Sequence, residues 1–204
     1  MSPAQDQHRP SNLNLPNALT ALRILLVPLF VWFLWAGGPW GEDGLGMRWA
    51  AFGVFAAAMI TDKLDGDIAR ARGLITSFGK IADPIADKLL TGAAFVVLSM
   101  LGELWWWVTI VILVREWGIT VLRFVVIRYG VMAASKGGKL KTVLQTVALL
   151  LLLLPLVPLV GSWWPWLGWT AMAAALVVTV VTGVDYVVKA LQLRRDALAG
   201  RGAP

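Results

Sequence analysis

The sequence has no cysteine and a single histidine, His8. Disulfides, thiolate metal sites and cysteine nucleophiles are thereby excluded. His8 sits in a polar stretch, so catalysis or metal binding in the body of the chain must rest on carboxylates. Charge is also sparse: 15% of the 204 residues are charged, against about 25% in a soluble domain. Residues 1–14 lack the basic-then-apolar pattern of a cleavable signal peptide and read as a polar tail.

What fills the remaining space is apolar. Hydrophobic residues make up 58% of the chain, with twelve Trp and a mean hydropathy of +0.73. A soluble domain carries about 45–50% apolar residues, so a water-soluble globule is excluded. Apolar runs fall at 15–36, 48–70, 81–101, 105–128, 140–160 and 163–190. They are continuous rather than alternating, which favours helices over a β-barrel. Each is near the roughly 20 residues that a membrane span requires. The expected fold is all-α, a polytopic membrane protein of six transmembrane helices. Residues 1–14 form a polar tail, 15–192 the membrane domain and 193–204 a basic tail.

The basic residues orient that bundle. Arg9, then Arg70, Arg72 and Lys80, then Arg128, Lys136, Lys139 and Lys141, then Arg194, Arg195 and Arg201 all fall on one side. The alternate connections hold Glu42, Asp43 and Glu103, with only Arg48 near them. Basic loops stay cytoplasmic, so both termini are expected there. The Trp runs at 105–107 and 163–166 mark the outer interface. The net charge of +6 is used in setting topology, and no nucleic-acid partner is expected.

Chemistry concentrates in Thr61–Lys88, TDKLDGDIARARGLITSFGKIADPIADK. Asp62 and Asp65 lie one turn apart on one helix, and Asp83 and Asp87 share a face of the next. Gly66 and Ala69 leave backbone open to a ligand or a neighbouring helix. Carboxylates gathered near hydrocarbon repel one another unless a cation neutralises them. Oxygen donors without His or Cys select Mg²⁺, Mn²⁺ or Ca²⁺. The plainer alternative is helix caps and solvated interface charges. Asp67 and Lys63 read as surface or outer groups.

The pattern Asp62-x2-Asp65-Gly66-x2-Ala69-Arg70-x8-Gly79-x3-Asp83-x3-Asp87 matches the signature of the CDP-alcohol phosphotransferase family in full. Eight fixed identities recur by chance at roughly 10⁻⁹ per start position, so the resemblance is specific. It implies a six-helix membrane enzyme that displaces CMP from a CDP-linked substrate by an alcohol, with two divalent ions, Mg²⁺ or Mn²⁺. Asp62, Asp65 and Asp83 resemble metal ligands. Asp87 resembles the proton acceptor and joins the metal set. Gly66, Arg70 and Thr76 resemble contacts to the CDP moiety, and a homodimer is implied.

Within that family, Pro16-Asn17-x2-Thr20-x2-Arg23 resembles the opening of the bacterial phosphatidylglycerophosphate synthases. There Pro16, Asn17 and Thr20 would contact CDP-diacylglycerol, although Asn17 or Thr20 also suits a helix cap. Arg115-Glu116, Arg123 and Gly138-Lys139-Leu140-Lys141-Thr142 extend the likeness. A charged pair inside a span must face a partner or a wet cavity. The resemblance implies that Arg123, Lys139 and Lys141, with Arg115, bind the phosphate of sn-glycerol 3-phosphate. A structural ion pair and a basic loop that only fixes topology are the simpler alternatives. Inositol phosphate or phosphatidylglycerol as acceptor would use the same chemistry. A divalent-cation transporter is the rival of another class. It is disfavoured because the outward halves of the second and third runs hold no acidic path.

Overall fold

The computed structural model describes residues 15–72, 77–126 and 136–199. Side chains at 15, 16, 63, 65–67, 69–82, 126, 136 and 196–199 lie outside that description. Among the described residues the fold is all-helical, with no strand. The helices are α1 (Leu15–Gly37), α2 (Leu45–Arg72), α3 (Ser77–Met100), α4 (Trp106–Val126), α5 (Lys136–Leu153), the short α6 (Val157–Val160) and α7 (Trp164–Ala199). Two of them, over Asn17–Gly37 and Trp164–Arg195, are long and apolar enough to cross a membrane by length and composition.

The chain divides into two compact units, one up to Val97 and one from Leu98. In the first, α1 packs along α2. Phe30 and Leu34 are fully buried on α1, as are Ala51 and Phe55 on α2, and the Phe30 and Phe55 rings stand 5.6 Å apart. The connection between these helices is tight. Gly38 adopts φ 68°, and a Cβ there would fall 2.1 Å from Asp43 Oδ2, so only glycine fits. The Asp43 and Gly44 amides both donate to the Gly37 carbonyl, and buried Arg48 reaches the Gly38 carbonyl at 3.4 Å.

In the second unit α4 and α5 each lie against α7. Ile112, Leu149, Leu152, Leu153 and Ala175 are buried there. Gly168 lets α5 come close, since a Cβ on it would meet Leu152 Cδ2 at 2.6 Å. The fifth apolar run was expected to continue to residue 160, but α5 stops at Leu153. Pro155 follows, and proline has no N–H with which to extend the ladder. The chain makes one turn, α6, before Trp164 and Pro165 open α7. Helix α7 continues to Ala199, past the end of its apolar run, because Gln192, Arg194 and Arg195 are good helix formers.

Candidate active site

Helix α1 presents a polar stripe inward. Asn17, Thr20 and Arg23, spaced by three, are all buried. Spacing of three keeps neighbouring side chains on one face. Thr20 Oγ1 donates to Asp83 Oδ1 at 2.5 Å, tying α1 to α3. Arg23 Nη1 pairs with Asp62 Oδ1, tying α1 to α2. Two carboxylates from the acidic pattern are thus held one turn apart along α1.

Both ties satisfy charge as well as geometry. Arg23 is 1% exposed and the Asp62 side chain 39% exposed, so a buried cation matches a carboxylate that is itself partly accessible. Asp83 and Asp87 are half-buried, with Pro84 between them. Removing the proline N–H from the helical ladder loosens α3 at that point. Thr91 Oγ1 donates to the Asp87 carbonyl at 2.8 Å and secures the turn beyond.

The side chains of Pro16, Asp65 and Arg70, together with Gly66, lie outside the described residues, as does Thr76. The backbone places Asp65, Gly66 and Arg70 on α2 with Asp62. The donor set is carboxylate oxygen throughout, which fits a hard divalent cation. Among the described residues no cluster of three or more such donors is assembled. The fit therefore rests on donor chemistry and on the pairing of Asp62 and Asp83 along α1.

Among the described residues, the cations proposed for the acceptor are distributed rather than pooled. Lys141 Nζ donates to Glu116 Oε1 at 2.5 Å, and Arg115 Nη1 reaches the same oxygen at 3.2 Å. Gln145, one turn after Lys141, donates to Thr179 Oγ1 at 3.1 Å. Arg123 lies two turns along α4, its Nε 3.3 Å from the Tyr186 hydroxyl and its guanidinium 5.8 Å above that ring. Lys139 is exposed near the start of α5. Arg115 and Lys141 thus converge on Glu116, while Arg123 is placed by Tyr186.

Sequence reasoning did not give Thr179, Thr182, Gly183 and Tyr186 a part in this arrangement. A signal was present: they recur at helical spacing in a stretch of α7 otherwise rich in valine. Arg23 was visible in the opening pattern, but its partner Asp62 was not.

A family model for CDP-alcohol phosphatidyltransferase matches residues 13–181. A Mycobacterium tuberculosis protein named "Probable phosphatidylglycerophosphate synthase" is 54% identical over 136 residues, 67% of this chain and 64% of its own length. A Bacillus subtilis protein named CDP-diacylglycerol–glycerol-3-phosphate 3-phosphatidyltransferase is 41% identical over 143 residues, 67% of this chain and 74% of its own. A rice cardiolipin synthase (CMP-forming) is 36% identical over 160 residues, 70% of this chain and 46% of its own. The chain spans 64% of the length of the mycobacterial relative. Matched from residue 13 to residue 181, the chain belongs to the CDP-alcohol phosphatidyltransferase family.

Proposed function

We propose that the protein transfers the phosphatidyl group of CDP-diacylglycerol to sn-glycerol 3-phosphate, giving phosphatidylglycerophosphate and CMP. The observation that carries the reading is the Thr20–Asp83 and Arg23–Asp62 pairing, which supports the acidic pattern as one working site. The names of the mycobacterial and Bacillus relatives support the choice of acceptor.

Asp62, Asp65, Asp83 and Asp87 would hold Mg²⁺ or Mn²⁺. When bound, the metal offsets the pyrophosphate charge and steadies the leaving oxygen. A free hydroxyl of glycerol 3-phosphate attacks the phosphorus that carries the diacylglycerol. The new P–O bond forms as the phosphoanhydride bond breaks, and CMP departs with its own phosphate. Asp87 takes the hydroxyl proton, because an alcohol is a weak nucleophile until that proton is removed. Arg70, with its planar fork, holds the CDP phosphates together with Gly66 and Thr76. Pro16, Asn17 and Thr20 line the approach of the nucleotide. Arg123, Lys139 and Lys141 hold the acceptor phosphate, and Arg115 stands beside Lys141 on the shared Glu116 carboxylate.

The protein acts as a multi-pass enzyme of the bacterial plasma membrane, both termini and the active site facing the cytoplasm. Among the described residues, six helices run to 18 residues or more, which is in keeping with six spans. Exposed Leu25, Trp32, Val114, Phe124, Val177 and Val181 suit lipid contact better than water. A homodimer is in keeping with the family resemblance.

The test is CMP release from CDP-diacylglycerol with single acceptors. Glycerol 3-phosphate should be turned over fastest. Faster turnover of phosphatidylglycerol, the reading that the rice relative favours, or of inositol phosphate would overturn the choice of acceptor. Metal flux into liposomes without CMP release would overturn the transferase reading.

A further inference from the structure

Glu116 accepts hydrogen bonds from two cations through one oxygen, Lys141 at 2.5 Å and Arg115 at 3.2 Å. The three side chains are largely withdrawn from solvent, Lys141 most of all at 9% exposure. Arg115 is fixed from the other side by α7. Its Nε donates to the Thr179 carbonyl at 3.2 Å and its Nη2 to Thr182 Oγ1 at 3.0 Å. Gly183 makes room for it, since a Cβ there would stand 3.2 Å from Arg115 Cγ and 3.3 Å from Nε. Every nitrogen of the guanidinium is therefore engaged within this unit. Three of its five N–H donors are so committed, Nε–H among them, which removes the side-on fork that pairs Nε with Nη on a phosphate.

Lysine differs. Its ammonium carries three donors on a flexible four-carbon stem. One donor on Glu116 leaves others for an anion while the stem is held still. Ordering such a stem in advance removes part of the entropy loss on binding. The contacts run in sequence from α7 to Arg115, from Arg115 to Glu116 and from Glu116 to Lys141.

We infer that Glu116 is a positioning residue for the acceptor: it aims the Lys141 ammonium at the acceptor phosphate, and Arg115 braces Glu116 instead of touching that phosphate. The inference rests on the glycerol 3-phosphate reading above and deepens it. Glu116 acts through Lys141, and Gly183 acts through Arg115.

The experiment uses the full chain in mixed micelles with Mg²⁺, each substrate varied separately. Glu116→Gln keeps the shape and removes the charge, so the KM for glycerol 3-phosphate should rise about tenfold. The KM for CDP-diacylglycerol and kcat should move by less than about twofold. In a Lys141→Met background the same substitution should add little, since coupled residues are not additive. Gly183→Ala alters no charge but displaces Arg115, and it should raise the same KM by roughly threefold. It also keeps the idea testable if Glu116→Gln folds poorly. An equal KM effect of Glu116→Gln with and without Lys141, or an unchanged KM in both variants, would overturn the inference while the acceptor assignment stands. A wild-type enzyme that releases no CMP with glycerol 3-phosphate would remove the functional reading itself, and the inference with it.

Discussion

Thr20 and Asp83, 63 positions apart, are joined by a hydrogen bond of 2.5 Å. A threonine on the first helix thus orients a carboxylate on the third. The contact occupies one lone pair of Asp83 Oδ1 and leaves the rest of the carboxylate for other partners. Removing it should show first in how the site takes up metal.

Thr20→Val is expected to raise the Mg²⁺ concentration needed for half-maximal turnover by roughly ten- to a hundredfold, the usual cost of losing a residue that orients a ligand. Thr20→Ser, which keeps the hydroxyl, should restore most of the affinity. A metal titration of all three proteins decides it. No change with valine would mean that the hydrogen bond serves packing alone.

Asp62→Asn, Asp65→Asn and Asp83→Asn should each nearly abolish CMP release while the protein still inserts. Asp67→Asn, at a variable position of the pattern, should be mild. Rates at low and saturating Mg²⁺ would separate a lost ligand from a misfolded chain. Near-normal activity of any of the first three at low Mg²⁺ would contradict their assignment.

Asp87→Asn should retain appreciable CDP-diacylglycerol binding yet lose transfer by about 10²–10⁴-fold, the usual cost of removing a general base. Equilibrium binding beside single-turnover rates makes the comparison. Loss of nucleotide binding as complete as in Asp62→Asn would make Asp87 a metal ligand and nothing more.

Arg123→Ala or Lys139→Ala should raise the KM for glycerol 3-phosphate by roughly ten- to a hundredfold, since a charge-assisted hydrogen bond contributes about 1.5–3 kcal/mol. The KM for CDP-diacylglycerol should change far less. Equal effects on both would mean that these cations serve the nucleotide or the lipid surface.

The helices were legible because hydrophobic runs and their breaks follow directly from residue type. The first run, expected at 15–36, is Leu15–Gly37. The fourth, expected at 105–128, is Trp106–Val126. Hydropathy failed where helix and apolar run part company. Helix α3 starts at Ser77, before the run expected from 81, and α7 continues into the basic segment. The Asp pattern could be read because i, i+3 and i+4 spacing is a property of one helix. The Arg23–Asp62 and Glu116–Lys141 pairs join different helices, and no local spacing encodes which side chains meet across a helix packing.

The direction of synthesis gives the α1 stripe a further consequence. Arg23 and Thr20 precede in the chain the carboxylates that they hold, Asp62 and Asp83. An uncompensated carboxylate entering hydrocarbon is costly, and here each emerges from the ribosome after its partner. The α1–α2 hairpin, closed by its own glycine turn, can pair Arg23 with Asp62 before Asp83 has emerged. On the proposed membrane topology, reordering these helices by circular permutation would therefore burden insertion even with the native contacts of the finished fold kept.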